Sequence, residues 1–184
     1  MLQNKQDKEG RRIYTLLCLL AVACYFDYRR DRIPNKFILF GLCVAAVWWI
    51  AQCIGLEAPL EESCRLLFRM GGVCLLFFLP YRLGMLGAGD VKLFTLSAAF
   101  LDGKDCVAFL AGSMLFAGLA SIAKMAAQRN VKERMYYFCS YLADVIRLGK
   151  CGLYLETEQD RKRVSLHMAG PMLAGLLCHI CGFY

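Results

Sequence analysis

Apolar runs recur along nearly the whole of this 184-residue chain, and they leave little else to build with. Bounded by charges and glycines, they occupy residues 13–26, 37–55, 66–80, 91–101, 106–123 and 165–183. With 59% hydrophobic and 20% charged residues, the chain lies outside the range of an ordinary soluble domain. The pattern predicts an all-α polytopic membrane protein of about six transmembrane helices with short loops. Residues 1–184 then form a single integral membrane domain with no separate soluble part. Any chemistry must sit in or against the bilayer.

The runs are unequal. The second, fifth and sixth are long enough to cross unaided, whereas the first is short, so its helix is expected to continue past Asp27 into the basic stretch, with Arg29 and Arg30 snorkelling. The fourth, 91–101, is shorter still. At helical rise it spans roughly 16 Å, so it either crosses with help from neighbouring helices or re-enters. No small-residue cleavage site follows the first apolar stretch, which therefore reads as a membrane helix rather than a cleaved signal. Most of the 22 Lys and Arg fall in "DYRRDRIPNK", around the start of the fourth run, and in residues 124–163, while "LEAPLEES" and "LDGKD" are acidic or mixed. Basic loops stay in the cytoplasm, which puts both termini outside, although Lys5, Lys8, Arg11 and Arg12 oppose that placement of the N-terminus. Within 124–163, Met135, Phe138, Leu142 and Val145 recur at helical spacing and predict an amphipathic helix on the inner leaflet.

This topology places two acids at the same membrane face. Asp27 ends the first run and Asp90 opens the fourth. Ionisable groups at such depth are costly and mark candidate functional sites, although a solvated helix end, or favourable placement of Asp90 on a helix dipole, accounts for either one alone. Gly84, Gly87 and Gly89 precede Asp90 in "GMLGAGDVKLF". They permit positive φ and close backbone approach, which suits a site that must hold an unwound substrate; a helix-packing motif of small residues is the competing reading.

Taken together, "DYRRDRIPNKF" and "GMLGAGDVKLF" resemble the two motifs of the type IV prepilin peptidase family, membrane aspartyl proteases of the GxGD kind. The final "HMAGPMLAGLL" is similar to that family's proline-containing last helix. The resemblance implies Asp27 and Asp90 as the catalytic pair. Asp31, one helical turn beyond Asp27, competes for the first role, but the spacing to Ile33, Pro34 and Asn35 favours Asp27. Gly87, Gly89, Lys92, Pro34 and Asn35 are expected to support the site. Proline has a preset φ suited to a helix's first turn, so Pro34 is expected to open the second helix. Lys92 either orients substrate and acts on Asp90 or snorkels to the interface.

Two carboxylates held close in a partly desolvated site cannot both ionise cheaply, so the dyad is expected to share one proton near neutral pH. One member then activates water and the other stabilises the oxyanion, with no metal or cofactor. The implied substrate is a prepilin or pilin-like precursor with a basic leader and an apolar helix, cut at the cytoplasmic face of a bacterial inner membrane. Larger family members carry a cytoplasmic insert with paired CxxC motifs and an N-methyltransferase activity. Here only Cys178 and Cys181 form a CxxC, so the resemblance is to the short, peptidase-only form. Cys53, Cys64 and Cys106 fall near the expected outer face, where oxidation is open to them. His167 and His179 read as interfacial or helix residues. Two other classes stand beside the protease reading: a small proton- or cation-coupled transporter using the aspartates, and a non-catalytic pilus-assembly subunit.

Overall fold

A computed structural model describes residues 2–30, 33–54, 59–83, 85–127, 140 and 167–182. All regular structure among them is helical. Six helices follow one another: α1 Leu2–Arg30, α2 Asn35–Cys53, α3 Pro59–Arg82, α4 Ala88–Phe100, α5 Gly103–Ala127 and α6 Ala169–Ile180. As expected, α1 continues through Asp27 to Arg30. The expected amphipathic helix within 124–163 lies outside the described residues, apart from the end of α5 and Ser140.

Among the described residues six helices are present, but the long ones are not all those expected: the third run lies in a helix long enough to cross, whereas the described part of the sixth does not. Three helices, α2, α3 and α5, are long and apolar enough to cross a membrane. The other three depart for different reasons. The polar first third of α1 dilutes its apolar part; α4 has only 13 residues; and the described part of the last helix, α6, has 12. At 1.5 Å per residue the last two reach about 20 and 18 Å, short of a hydrocarbon core of about 30 Å.

The packing shows how the short helix is accommodated. Seven residues of α4 are buried: Val91, Leu93, Phe94, Leu96, Ser97, Ala98 and Phe100. They cover most of the circumference and leave one face, with the exposed Lys92 and the half-buried Thr95 and Ala99; that face, Lys92 apart, is itself largely apolar, so the segment shows no amphipathic stripe. Phe94 stacks on Phe77 of α3, with ring centroids 4.3 Å apart and planes 5° apart, and meets Phe109 of α5 edge-on at 6.3 Å. The hydroxyls of Thr95 and Ser97 donate back to the carbonyls of Val91 and Leu93, so neither carries an unmet donor into the core. The spanning candidates show the reverse pattern. Only 17%, 11% and 28% of the apolar windows of α2, α3 and α5 are buried, and Phe68, Leu67, Leu75 and Val47 stand outward. Apolar surface on this scale is what lipid, not water, would cover.

Between such helices lipid supplies no hydrophobic drive, so close backbone approach has to hold them together. Gly175 of α6 provides it against α5: a Cβ there would lie 2.8 Å from both the backbone nitrogen and the hydroxyl of Ser113. Gly41 of α2 similarly receives Leu96 of α4, although there the obstacle is a flexible side-chain tip. His179 near the end of α6 lies 3.7 Å from Asp105 at the start of α5, which fixes the pair as antiparallel.

Replacing Gly175 by Ala should therefore lower stability in detergent by about 1–3 kcal/mol, because Ser113 backbone cannot move aside. Gly170→Ala, where nothing lies within 4 Å of the added carbon, should be close to neutral. Equal melting temperatures for the two variants would contradict this account of the α5–α6 contact.

Candidate active site

Alternating helix directions bring the C-terminal end of α1 together with the N-terminal ends of α2, α4 and α6. Each contributes through a specific contact. Asp27, at 9% exposure, accepts the backbone N–H of Ala169 on Oδ2 at 3.3 Å. Its Oδ1 lies 3.5 Å from Nδ1 of His167. The start of the last helix thus presents a backbone donor and an imidazole to the one buried acid of the first. Leaving that carboxylate without such donors would cost several times what an exposed one does.

Asp90 occupies the first turn of α4, outside the three spanning candidates. Its Oδ2 accepts the N–H of Gly87 at 3.2 Å, so the side chain folds back over the turn that precedes it. Here the glycine requirement is steric. A Cβ at Gly87 would stand 3.0 Å from that same oxygen. Gly87 has φ −77° and ψ 150°, and among the described glycines only Gly182 has positive φ; the positive-φ role expected from the sequence is therefore not the one Gly87 or Gly89 plays. Gly84 lies outside the described residues. Gly89 faces Ile33, whose atoms would be 3.6 to 3.8 Å from an added carbon, ordinary contact distance. That approach joins the two sequence motifs directly.

The remaining supporting residues form a bracket between α2 and α4. Lys92 donates from Nζ to Oδ1 of Asn35 at 2.8 Å. Pro34 stands just before α2 as its cap, not within its first turn as expected. It has extended geometry (φ −63°, ψ 135°), and its carbonyl accepts the N–H groups of Phe37 and Ile38 at 3.0 and 3.3 Å. A proline can do this because the cap needs a free carbonyl and no N–H. Asp31 lies outside the described residues.

Asp27 and Asp90 feel one another. Burial, and after it the negative charge of Asp27, push Asp90 up from the ordinary carboxylate value, and the Gly87 N–H and His167 oppose the rise, leaving it at about 7. Such an arrangement separates two like groups into an acid and a base, which is what hydrolysis without a covalent intermediate requires.

One contributor was not legible as a site residue in the sequence. His167 reads there as interfacial, yet it sits beside Asp27 and its ring lies 6.1 Å from that of Tyr28. Its position two residues ahead of α6, at the end where both acids gather, was the available signal. Arg29 and Arg30, which flank the same acid in sequence, instead lie over the rings of Tyr25 and Phe26 at 5.6 and 5.7 Å.

Among known proteins, no curated sequence and no solved structure matches the chain. A family model does. The model of the type IV leader peptidase family matches residues 14–122, a stretch that runs from α1 through most of α5 and contains both aspartates, the Pro34–Asn35 turn and the glycines before α4. Covering more than half of the sequence, that match establishes that this helical chain belongs to the type IV leader peptidase family.

Proposed function

We propose that Asp27 and Asp90 are the catalytic pair of an aspartic-type membrane endopeptidase that removes the leader of prepilin or pilin-like precursors. The observation that carries this reading is the meeting of two acids from separate family-matched segments, where the burial of Asp90 and the charge of Asp27 both favour a protonated Asp90. The basic loops favour a cytoplasmic position for that end of the bundle, and the family supports a bacterial inner membrane as its setting. A precursor with a basic leader and an apolar helix meets the site at that boundary.

The division of labour follows from the neighbours. Asp27, ionised and steadied by the Ala169 N–H and His167, takes a proton from water as its oxygen attacks the scissile carbonyl. Asp90 gives its proton to the carbonyl oxygen, which otherwise develops negative charge. In the gem-diol that results, Asp27 passes its new proton to the leaving nitrogen while Asp90 recovers one from a hydroxyl. The C–N bond breaks and both carboxyls return to their starting states. His167 acts through Asp27, as a positioning residue.

Cleavage of a pilin-like precursor in membranes, followed by the mass of the product, should fall by at least about 10²- to 10⁴-fold in Asp27→Asn and in Asp90→Asn. It should persist in Asp31→Asn. An unprocessed precursor beside correctly inserted wild-type protein would instead favour a transporter or an assembly subunit.

The pH dependence has a definite sign. Below about 7 Asp90 holds its proton and the acid is available. Above that value it is lost, so kcat/KM should decline as pH rises through about 7. The same shift enters folding: between the unfolded carboxyl's value near 3.8 and the folded value of about 7, the native state keeps a proton that the unfolded chain releases. This contribution to stability is therefore greatest at low pH and is lost as pH rises through that window. A flat cleavage profile from pH 6 to 8.5 under single-turnover conditions would remove Asp90 from the role of acid.

The glycines are separable by the same assay. Gly87→Ala must displace the Asp90 carboxylate by a few tenths of an ångström and should lower the cleavage rate several-fold, on the order of tenfold at most, whereas Gly89→Ala meets Ile33 at an ordinary distance and should retain most activity. Equal losses in the two variants would show that the turn matters for reasons other than the placement of Asp90.

A further inference from the structure

A cavity of about 510 Å³ lies among the ends of α1, α2, α3 and α4 remote from the aspartates. Along α1, Arg12 precedes Asp27 by about 22 Å at helical rise, and the turn from α4 into α5 closes the same end. Arg12, Arg65, Arg69, Trp48, Trp49 and Asp102 are among the residues that line it. None of them takes part in the proposed cleavage.

Two of its arginines share one acid. Arg12, whose side chain is only 10% exposed, donates from Nη2 to Asp102 at 3.1 Å. Its Nε and Nη1 lie 3.1 Å from the Gln52 amide, which satisfies both when its oxygen faces them. Arg69, 20% exposed, donates from Nε to the carbonyl of Ala98 at 2.7 Å and brings Nη1 to 3.7 Å from the same Asp102. A single carboxylate thus serves two largely buried guanidiniums. Arg65, more exposed, is occupied by Glu61 and Glu62 at 2.6 and 3.1 Å.

Donors are also in surplus. A guanidinium carries five N–H groups and accepts nothing, and the hydrogen bonds just given use three on Arg12 and one on Arg69. The indole N–H of Trp49 is buried without an acceptor among the described residues. Buried donors left unmet are costly, more so when charged. The complement of such a cavity is an oxyanion, and planar guanidinium forks suit phosphate oxygens in particular.

We propose that this cavity binds a phosphate-bearing ligand, the headgroup of an anionic phospholipid. Its walls favour a lipid source because Trp48, Trp49, Ala45 and Leu66 lie on α2 and α3, whose outer faces are the apolar surfaces described above. Indole rings near a helix end are placed as headgroup-level anchors. The headgroup fills the polar recess while acyl chains follow the helices. This site stands independently of the leader-peptidase reading.

The test uses the purified full chain in a neutral detergent, titrated separately with dihexanoyl phosphatidylglycerol, dihexanoyl phosphatidylcholine and inorganic phosphate while thermal unfolding is followed. Phosphatidylglycerol should raise the melting temperature saturably and bind at least about tenfold more tightly than phosphatidylcholine. Arg12→Gln and Arg69→Gln should each weaken it by about tenfold or more. Because either change also disturbs Asp102, Ala99→Phe serves as the second variant: it fills the lining, leaves both arginines intact and should abolish the response. Inorganic phosphate reproducing the full shift would uphold the anion site and overturn the lipid as its occupant. A folded wild-type protein with no saturable response to any probe would overturn the proposal, as would an undiminished response in Ala99→Phe.

Discussion

Helix α4 is too short to cross a bilayer and apolar around most of its circumference, so it must be enclosed by other helices, and much of the architecture answers that demand. Phe77 and Phe109 close on Phe94, Leu96 enters the gap that Gly41 leaves, and the small hydroxyls of α4 return their protons to its own backbone. Enclosure also fixes where the helix begins. Gly87, with extended geometry, sets Asp90 in the first turn, and the depth at which the helix is packed becomes the depth of the carboxylate. A longer, self-sufficient helix would carry its first turn toward the headgroups and into water. The short helix is therefore part of what leaves Asp90 only partly exposed.

Once α4 is placed, the other contacts around the acids act as spacers. Ile33 against Gly89 and Lys92 bonded to Asn35 hold the entry of α2 to the entry of α4. The first residues of α6 reach Asp27 from the other direction. Since α6 is tied to α5 by Gly175 and by His179 near Asp105, the donor to Asp27 is carried by a helix pair whose own packing lies elsewhere. Geometry at the acids is thus imposed by side chains that take no part in the proposed chemistry.

Much of this was legible from residue pattern because the bilayer restricts the choices so severely. Apolar run lengths foretold helices at the six positions where the described residues carry them, and the shortness of the first run foretold the extension of α1 past Asp27. Both acids could be located because charge is scarce in an apolar chain. Three things were hidden. Run length marked the fourth run as too short to cross alone, but it did not show that charged flanks lengthen α3 into a spanning helix or that the described part of α6 stops at 12 residues. Glycine was read through its torsional freedom, whereas at Gly87 the missing Cβ matters. His167 lies 140 residues along the chain from Asp27, and no local periodicity encodes a contact over that separation.

The two ends of the bundle show how one residue type is put to opposite uses by what surrounds it. Asp102 is shared by two largely buried arginines, which bind α1 and α3 to the turn after α4. Its negative charge is spent on that lock. Asp27 has arginines close by in sequence as well, but Arg29 and Arg30 are drawn onto aromatic rings, and the acid is left with a backbone N–H and an imidazole, whose charge depends on pH. Its field can then act on Asp90. An arginine in place of His167 would hold Asp27 more firmly and weaken that influence, stabilising the helix junction while bringing the two acids closer to the same protonation state. Under the aspartyl-protease reading, modest anchoring of Asp27 is a requirement of the chemistry, because an acid and a base have to be made from two identical side chains.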